Sequence, residues 1–279
     1  MKAKKIWALL MALAMVFSLA ACGDTAEDTS DADNADAENT DTAEASDLAY
    51  VQDKGTLVVG ITEFEPMDYQ NESGEWVGFD ADLAKEFAES LGVEVQFQII
   101  DWDSKIMELD GKTIDVVWNG MTLTEDVTSA MECSQPYLIN QQVVVVPAAV
   151  ADQYQSEDSL TDLAFAVEIG SAGCEIAAAN GYNYTEVADQ ATALLEVASG
   201  TADAAIIDSL MAGAMIGEGT SYADLTSTMA LTSEEYGVGF RKGSDLAAAL
   251  NEFLDGKYAD GSIQTLAETY GVQDALVAE

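Results

Sequence analysis

Carboxylates carry most of the chemistry available to this chain of 279 residues. It has 51 Asp and Glu residues against 10 Lys and Arg, a formal net charge of −41, and no histidine. Without histidine, neither a Ser-His-Asp triad nor a His-ligated zinc site can form. A surface of this sign repels a polyphosphate, so nucleic acid is not an expected partner. Histidine-dependent catalysis, His-ligated zinc sites and nucleic-acid binding are thereby excluded.

The first 21 residues have the pattern of an export signal, with three early lysines, an apolar run over Ile6–Leu19 and small residues at its end. That run is too short for a comfortable membrane span, which needs about 20 residues. The ending Leu-Ala-Ala-Cys resembles a bacterial lipobox, which implies a lipidated Cys22. We therefore predict a lipoprotein signal peptide over 1–21 and a protein anchored outside the cytoplasmic membrane. The alternative is an ordinary signal peptide with an incidental cysteine.

The next segment, residues 23–48, contains ten acidic residues, no Lys or Arg, and one apolar residue larger than Ala. Such a segment cannot bury enough surface to offset its ordering entropy, and its like charges extend it. We predict an acidic disordered tether over 22–48, including the lipidated cysteine. No metal or cofactor is expected, because the aspartates here lack the glycine and terminal glutamate of a calcium loop.

The remaining body alternates predicted strands and helices. Thr56–Ile61 is a β-branched run, and apolar residues recurring every four positions from Phe79 predict a helix that Asp80 caps and Gly92 ends. The same alternation returns in the second half of the chain. It predicts an α/β fold with mainly parallel sheets, whose ligands bind beyond the carboxyl ends of the strands.

A series of short motifs then follows in order between residues 50 and 275. They are Gly55–Gly60, Phe64–Tyr69, Gly78–Ala84, Asp101–Asp103, Ile114–Thr124, Ser134–Tyr137, Glu168–Gly173, Ala202–Asp208 and Tyr236–Gly243. Their order and spacing resemble the family 3 extracellular solute-binding proteins, the substrate receptors of polar amino-acid ABC importers. No single motif is diagnostic, and the resemblance rests on the ordered set.

The resemblance implies a periplasmic-binding-protein type II-like fold, with two lobes joined by two crossing strands. Lobe 1 would hold 50–145 and 238–279, and lobe 2 would hold 146–237, with crossings near Val144–Pro147 and Tyr236–Phe240. A small solute, most simply an amino acid, would bind in the cleft, and the lobes would close over it by hinge motion. The implied partner is an ABC permease, and we expect a monomer without catalytic activity.

The resemblance also assigns contacts to the solute. Asp208 would meet the α-ammonium group, although its position between an apolar strand and a helix also suits a helix N-cap. Thr122 and the carbonyl of Gly120 would add hydrogen bonds, with Asn119 and Met121 beside them. Gly120 also suits a simple turn, where the absence of a side chain lets the backbone approach closely.

Two further groups of residues complete the implied site. Phe64 and Trp102 align with the aromatic positions that enclose the solute side chain, and core packing is the competing explanation. Ser171, Ala172 and Gly173 begin a helix, whose free backbone N–H groups can receive a carboxylate. An ordinary capped helix is the alternative there.

One position departs from the family pattern. Where family members carry an arginine that grips the α-carboxylate, this chain has Val127, with Glu125 and Asp126 adding negative charge nearby. A desolvated carboxylate without a cation loses several kcal/mol unless other donors replace it. The chain's one arginine, Arg241, lies in the predicted second crossing strand, where the family's basic residue does not touch the solute.

Two solute hypotheses therefore stay open. In the first, an amino acid binds and its carboxylate is held by the Thr122 N–H and the helix start at 171–173. In the second, the solute is a cation or a compound without a free carboxylate. It would be attracted by Asp208, Glu63, Glu125 or Glu168.

Two other roles are weaker alternatives. Some relatives of this fold are dehydratases, and Glu63 or Glu168 would then be the general base, but nothing in the sequence marks either as perturbed. A receptor that signals rather than delivers solute is the second alternative. Cys133 and Cys174 are the other two thiols, and they form either one disulfide across the cleft or two free thiols.

Overall fold

The computed structural model describes residues 46–278. The predicted signal peptide, the lipidation site at Cys22 and most of the predicted tether lie outside the described residues. The tether's predicted end at residue 48 is wrong, because Ser46 caps a helix over Asp47–Lys54. The buried Asp47 carboxylate accepts a hydrogen bond from Arg241 Nε at 2.8 Å, so residues 46–48 belong to the folded body. Within 46–278, no helix has the length and apolarity needed to cross a membrane.

Thirteen strands are described between residues 46 and 278. They are β1 (Thr56–Ile61), β2 (Tyr69–Gln70), β3 (Trp76–Val77), β4 (Glu94–Ile99), β5 (Val116–Thr122), β6 (Glu132–Cys133), β7 (Leu138–Asn140), β8 (Gln142–Pro147), β9 (Ala164–Glu168), β10 (Asn183–Val187), β11 (Ala204–Asp208), β12 (Leu225–Ala230) and β13 (Glu234–Phe240).

Nine α-helices are described in the same range. They are α1 (Asp47–Lys54), α2 (Phe79–Leu91), α3 (Lys105–Asp110), α4 (Glu125–Ala130), α5 (Ala172–Asn180), α6 (Gln190–Ser199), α7 (Ser209–Met215), α8 (Leu246–Asp260) and α9 (Ser262–Tyr270). A short 3₁₀ turn over Trp102–Ser104 leads directly into α3.

Two large sheets organise these elements. The first has the order β4-β1-β5-β13-β6, with β7 also paired to β13, and the second has the order β10-β9-β11-β8-β12. The chain passes from the first sheet to the second between β7 and β8, and it returns between β12 and β13. The residue limits given above for the two lobes stay a prediction.

The strand directions correct one expectation. β1 is parallel to β4 and β5, and β9 is parallel to β10 and β11, as the alternation of strands and helices predicts. However, β13 and β8 run antiparallel to their neighbours, so both sheets are mixed rather than mainly parallel. The reason is that β8 and β13 follow short connections between the sheets without a crossover helix, and antiparallel pairing needs no crossover.

Helices cover both faces of the second sheet. On β9, Ala166 packs into the apolar cluster that includes α6, whereas Phe165 and Val167 pack into a separate cluster that includes α5. Successive side chains of a strand point to opposite faces, so both faces of β9 are buried and the strand is apolar throughout its middle. This arrangement fixes the carboxyl ends of β9 and β11 side by side.

The predicted cap of α2 is wrong. The helix has the predicted apolar face and ends at Gly92, but its N-cap residue is Gly78. Asp80 lies inside the first turn, fully buried, and accepts hydrogen bonds from the Gly120 backbone N–H at 2.6 Å and from the Tyr137 hydroxyl at 2.8 Å. Its carboxylate therefore ties α2 to the end of β5 instead of capping its own helix.

Candidate functional site

A cavity with about 420 Å³ of empty space, its opening included, is lined by residues from both large sheets. Ten of the eleven predicted site residues line it. They are Phe64, Trp102, Asn119, Gly120, Met121, Thr122, Val127, Ser171, Ala172 and Asp208. Their roles in binding stay predictions.

Gly173 is the predicted site residue that does not line the cavity. It lies in the first turn of α5 with its Cα against β11, where an added Cβ would lie 2.9 Å from the carbonyl oxygen of Ile206. Real Cβ atoms essentially never come so close to backbone. The glycine is thus explained by the close packing of α5 on β11.

Asp208 ends β11 and is buried beside three side-chain amides. Its Oδ1 accepts hydrogen bonds from Asn140 Nδ2 and, at 2.7 Å, from Gln142 Nε2, and its Oδ2 accepts one from Gln190 Nε2. Asp208 occupies the N-cap position of α7, yet its side chain makes no capping hydrogen bond. Burial, followed by the charge of Glu234, raises the pKa of Asp208 to about 7. Asp208 thus lines the cavity, and its carboxylate is bound by these three amides rather than by its own helix.

Glu168 ends the neighbouring parallel strand β9 and also lines the cavity. Only 3% of its surface is exposed. Its Oε2 lies 3.5 Å from Gln190 Nε2, whereas its buried Oε1 has no hydrogen-bond donor in the described part of the chain. Burial, followed by the charge of Asp208, raises the pKa of Glu168 to about 8.

Lys105 brings a positive charge to the same cavity. The residue is 7% exposed, and its ammonium group donates to the carbonyl oxygens of Trp102 at 3.2 Å and Gly170 at 2.9 Å. Its Nζ also lies 4.8 Å from the centre of the Trp102 ring. Burial lowers the pKa of Lys105, and the charges of Glu168, Asp103 and Glu175 oppose that shift. An ammonium group has three donors, so one is left for a solute.

Phe64 and Gly120 form one contact in the cavity wall. The Phe64 ring meets the Tyr236 ring edge-on, with 6.4 Å between centroids, and is 3% exposed. Gly120 has a φ of +55°, and a Cβ there would lie 2.6 Å from Phe64 Cε1. Glycine is therefore required at residue 120 both by its backbone conformation and by the aromatic ring against it.

Asn119 and Thr122 lie on the same strand, but hydrogen bonds within the protein already use their side chains. Asn119 Oδ1 accepts from the backbone N–H of Thr62 at 3.0 Å, and its Nδ2 donates to Asp68 Oδ2 at 2.8 Å. The Thr122 hydroxyl donates to Glu234 Oε1 at 2.8 Å. The Asn119 side chain thus ties β5 to the loop that carries Phe64.

Trp102, Met121 and Val127 belong to one apolar cluster at the cavity wall. Val127 lies in the first turn of α4, 5% exposed, and its backbone N–H donates to the hydroxyl of the N-cap residue Thr124 at 3.3 Å. At this wall the chain therefore presents an apolar surface where the sequence comparison above expects an arginine. Arg241 does not line the cavity, since its Nη1 donates to the carbonyl oxygen of Ile114 at 2.9 Å.

The start of α5 is capped by its own serine. Ser171 Oγ accepts from the Cys174 backbone N–H at 3.1 Å and donates to the carbonyl oxygen of Glu168 at 2.7 Å. The serine hydroxyl is therefore occupied, and Ala172 follows it at the cavity wall. Cys174 and Cys133 are both free thiols.

The sequence analysis misses several residues of this cavity. Glu63 and Glu125 are exposed and outside the cavity lining, whereas Lys105 lines the cavity without being predicted for it. Its spacing of three residues from Trp102 was an available signal, because residues three apart share one helix face. Glu168, which the sequence analysis gives only as an attraction for a cationic solute, lines the cavity, and the other lining residues not predicted at all are Thr62, Thr124, Gln142, Gly170, Glu175 and Gln190.

Comparison with known proteins gives a family match over most of the chain. The model described as bacterial extracellular solute-binding proteins, family 3, matches residues 57–273. The L-cystine-binding protein TcyJ of Escherichia coli strain K12 is 29% identical over 227 residues, covering 80% of this chain and 85% of TcyJ. The arginine-binding extracellular protein ArtP of Bacillus subtilis strain 168 is 29% identical over 273 residues, covering 94% of this chain and 96% of ArtP.

A solved structure shares the fold. The ancestral amino acid-binding protein AncCDT-1, described as a precursor of cyclohexadienyl dehydratase, is 31% identical in sequence with a TM-score of 0.74. The match covers 81% of this chain and 99% of that protein. The predicted fold class, an α/β fold of the periplasmic-binding-protein type II-like kind, is confirmed.

Proposed function

The chain belongs to family 3 of the bacterial extracellular solute-binding proteins, and on that premise we propose that it is the amino-acid receptor of an ABC importer. The family membership predicted from the ordered motifs is confirmed by the match over 57–273. The names of TcyJ and ArtP, which specify cystine and arginine, support an amino acid as the solute.

The observation that carries this proposal is the presence of groups of both charges around one cavity. Asp208 and Glu168 contribute carboxylates from the ends of β11 and β9, and Lys105 contributes an ammonium group from the start of α3. A free α-amino acid carries a positive and a negative group that match these two signs. Of the two solute hypotheses, this favours an amino acid over a compound without a carboxylate.

Lys105 offers a replacement for the family arginine, whose position Val127 occupies in this chain. The lysine holds two backbone carbonyls, at 2.9 and 3.2 Å, and keeps one N–H for a solute carboxylate. A charge-assisted hydrogen bond is about twice as strong as a neutral one. We propose that this N–H, together with backbone donors at Thr122 and the start of α5, holds the carboxylate.

We further propose the cellular setting from the sequence. The signal peptide over 1–21 would direct export, the lipid on Cys22 would anchor the protein to the membrane, and the acidic segment after it would act as a tether. The folded body would work as a monomer, with lobes 50–145 plus 238–279 and 146–237 closing on the solute and presenting it to the permease.

A binding role without catalysis is part of this proposal. The description of AncCDT-1 names a dehydratase, and of the two general bases that the enzyme alternative offers, Glu63 and Glu168, only Glu168 lines the cavity. AncCDT-1 is itself described as an amino acid-binding protein, so similarity to it does not require that this chain be a catalyst.

Isothermal titration calorimetry of the purified protein tests the proposal. The panel is the twenty common L-amino acids and L-cystine, followed by the amide and the decarboxylated amine of the tightest binder. At least one amino acid is expected to bind with a micromolar or lower Kd, and its amide and amine more weakly by about tenfold or more. Equal affinity for the acid and the amine, or no binding by any panel member, would contradict it.

A further inference from the structure

We infer that Glu168 is a second acceptor for the solute's ammonium group, shared with Asp208, so that solute binding displaces a proton from this pair of carboxylates. The inference rests on the proposed function, because it takes the solute to be an amino acid. It adds a binding residue and a proton stoichiometry to that function.

One oxygen of the Glu168 carboxylate has no hydrogen-bond partner among the residues that the structure describes. Glu168 Oε1 is buried at the cavity wall, and no donor reaches it within residues 46–278. Leaving a buried polar atom without a partner costs about 1–3 kcal/mol, and more when the group is charged. Because Glu168 lines the cavity, we assign this oxygen to a donor from the solute.

Asp208 differs from Glu168 in its number of hydrogen-bond donors. That carboxylate already accepts from three side-chain amides, those of Asn140, Gln142 and Gln190. Asp208 is thus oriented and largely satisfied without a solute, whereas Glu168 has only the long contact of its Oε2 with Gln190. Of the two carboxylates, Glu168 has fewer hydrogen-bond donors and would therefore gain more from a cationic donor of the solute.

One ammonium group can donate hydrogen bonds to both carboxylates. Gln190 Nε2 contacts Glu168 Oε2 and Asp208 Oδ2, so the two side chains lie on either side of a single amide nitrogen. An ammonium group carries three N–H donors. Because Gln190 Nε2 already lies between the two carboxylates, the ammonium group would sit on the cavity side of that amide, with one N–H toward Asp208 and another toward Glu168 Oε1.

The empty pair of carboxylates holds a proton near pH 7. Two buried carboxylates this close do not both ionise readily, because each disfavours the charge of the other. Burial and the neighbouring Asp208 charge raise the pKa of Glu168 to about 8, so near pH 7 the empty site holds a proton there. When the ammonium group enters, it supplies the compensating charge and the carboxyl proton passes to solvent. One positive charge enters and one leaves.

Other charged groups face this pair from the surrounding elements. Asp189, at the N-cap of α6, and Asp208 on β11 raise the pKa of Glu168, and Lys105 on α3 lowers it. Glu234, on β13, raises the pKa of Asp208. The acidic neighbours outnumber the single lysine, so the empty pair retains its proton.

Calorimetry in two buffers measures the proton directly. The tightest-binding member of the amino-acid panel is titrated at pH 7 in phosphate and in Tris, which have different ionisation enthalpies. The difference in heat gives the number of protons released. At pH 7 a group with a pKa of about 8 is roughly 0.9 protonated and one with a pKa of about 7 roughly half protonated, so the wild type is expected to release between about 0.5 and 1.5 protons from the pair.

Two variants separate a binding role from a general charge effect. Glu168→Gln is expected to bind about tenfold more weakly and to release less than half as many protons. Glu186→Gln is the matched control, because Glu186 is exposed on the adjacent strand β10 and outside the cavity lining. It is expected to keep both the wild-type affinity and the wild-type proton release.

Three results would overturn the inference, and they are distinguishable from failure of the proposed function. A panel member that binds the wild type without proton release, or that binds Glu168→Gln with unchanged affinity and proton release, overturns the inference alone. Absence of binding by the whole panel contradicts the proposed function as well. If Glu168→Gln does not fold, the wild-type affinity must rise with pH between 6 and 8, by up to about tenfold per unit for each proton displaced. A flat profile overturns the inference.

Discussion

The ammonium nitrogen of Lys105 lies 2.9 Å from the carbonyl oxygen of Gly170. Lys105 begins α3, which packs beside the first sheet, and Gly170 follows β9 of the second sheet. The hydrogen bond therefore joins two walls of the cavity that come from different sheets. Gly170 has a φ of +70°, and a Cβ there would lie 2.8 Å from Asp103 Cα, so the two backbones touch at this point.

Replacing Gly170 by alanine tests the importance of this contact for binding. The added methyl group would meet the backbone of Asp103, so the two walls could not come together as they do here. We expect affinity for the tightest panel amino acid to fall by about tenfold or more, on top of a loss of about 1 kcal/mol in stability from the positive φ. Calorimetry and thermal unfolding measure the two effects.

Gly181→Ala is the control for that experiment. Gly181 ends α5 with a φ of +66°, and nothing lies within 4 Å of its added Cβ. It carries the same backbone strain without the steric contact. We expect it to lose stability but to keep its affinity, and equal affinities in the two variants would show that the Gly170 contact does not matter for binding.

Asp208→Asn tests the proposed ammonium contact. The new amide places donors where Asn140, Gln142 and Gln190 already point donors, and it removes the negative charge. We expect a fall in affinity of about 100-fold, equivalent to about 2.7 kcal/mol. The exposed Asp224, changed in the same way, should bind as the wild type does. A wild-type Kd in Asp208→Asn would remove this residue from the site.

The stability of the solute-free protein is expected to depend on Glu168. Its pKa is raised from 4.5 to about 8, so between these values the folded state holds a proton that the unfolded state has lost. The stabilisation is complete below pH 4.5 and is lost as the pH rises toward 8. Urea unfolding at pH 5, 6.5 and 8 should show a steeper decline for the wild type than for Glu168→Gln. Parallel declines would contradict the raised pKa.

Part of this site follows from the sequence because strand ends are predictable. The apolar run before Asp208 marks a buried strand, and parallel strands bring their carboxyl ends to one edge of a sheet. The same rule applied to β9 points to Glu168, which ends its own apolar run. The sequence predicts Asp208 as a contact of the solute, but it gives Glu168 only as a residue that would attract a cationic solute. The reason is that a buried carboxylate oxygen without a donor can be recognised only in three dimensions.

Other features depend on contacts between distant segments. Asp80 has the residue type and place of a helix cap, but Gly120 and Tyr137, 40 and 57 residues further along the chain, provide its hydrogen-bond donors. Lys105 has an ordinary helical position, and only the approach of Gly170, 65 residues away, makes it a buried cation. Local patterns carry no information about such partners.

The central claim is that Asp208 and Glu168 meet the positive group of the solute and Lys105 meets its carboxylate. The most direct test is calorimetry of the wild type and of Lys105→Met. Each protein is titrated with the tightest-binding amino acid and with its amide, which lacks the carboxylate charge. Lys85→Met, on the partly exposed side of α2, is the control.

A general loss of closure would weaken the acid and the amide equally, so the ratio of their two Kd values isolates the contact. We predict that the wild type and Lys85→Met prefer the acid by about tenfold or more, and that Lys105→Met binds both nearly equally. An unchanged preference in Lys105→Met would contradict the account.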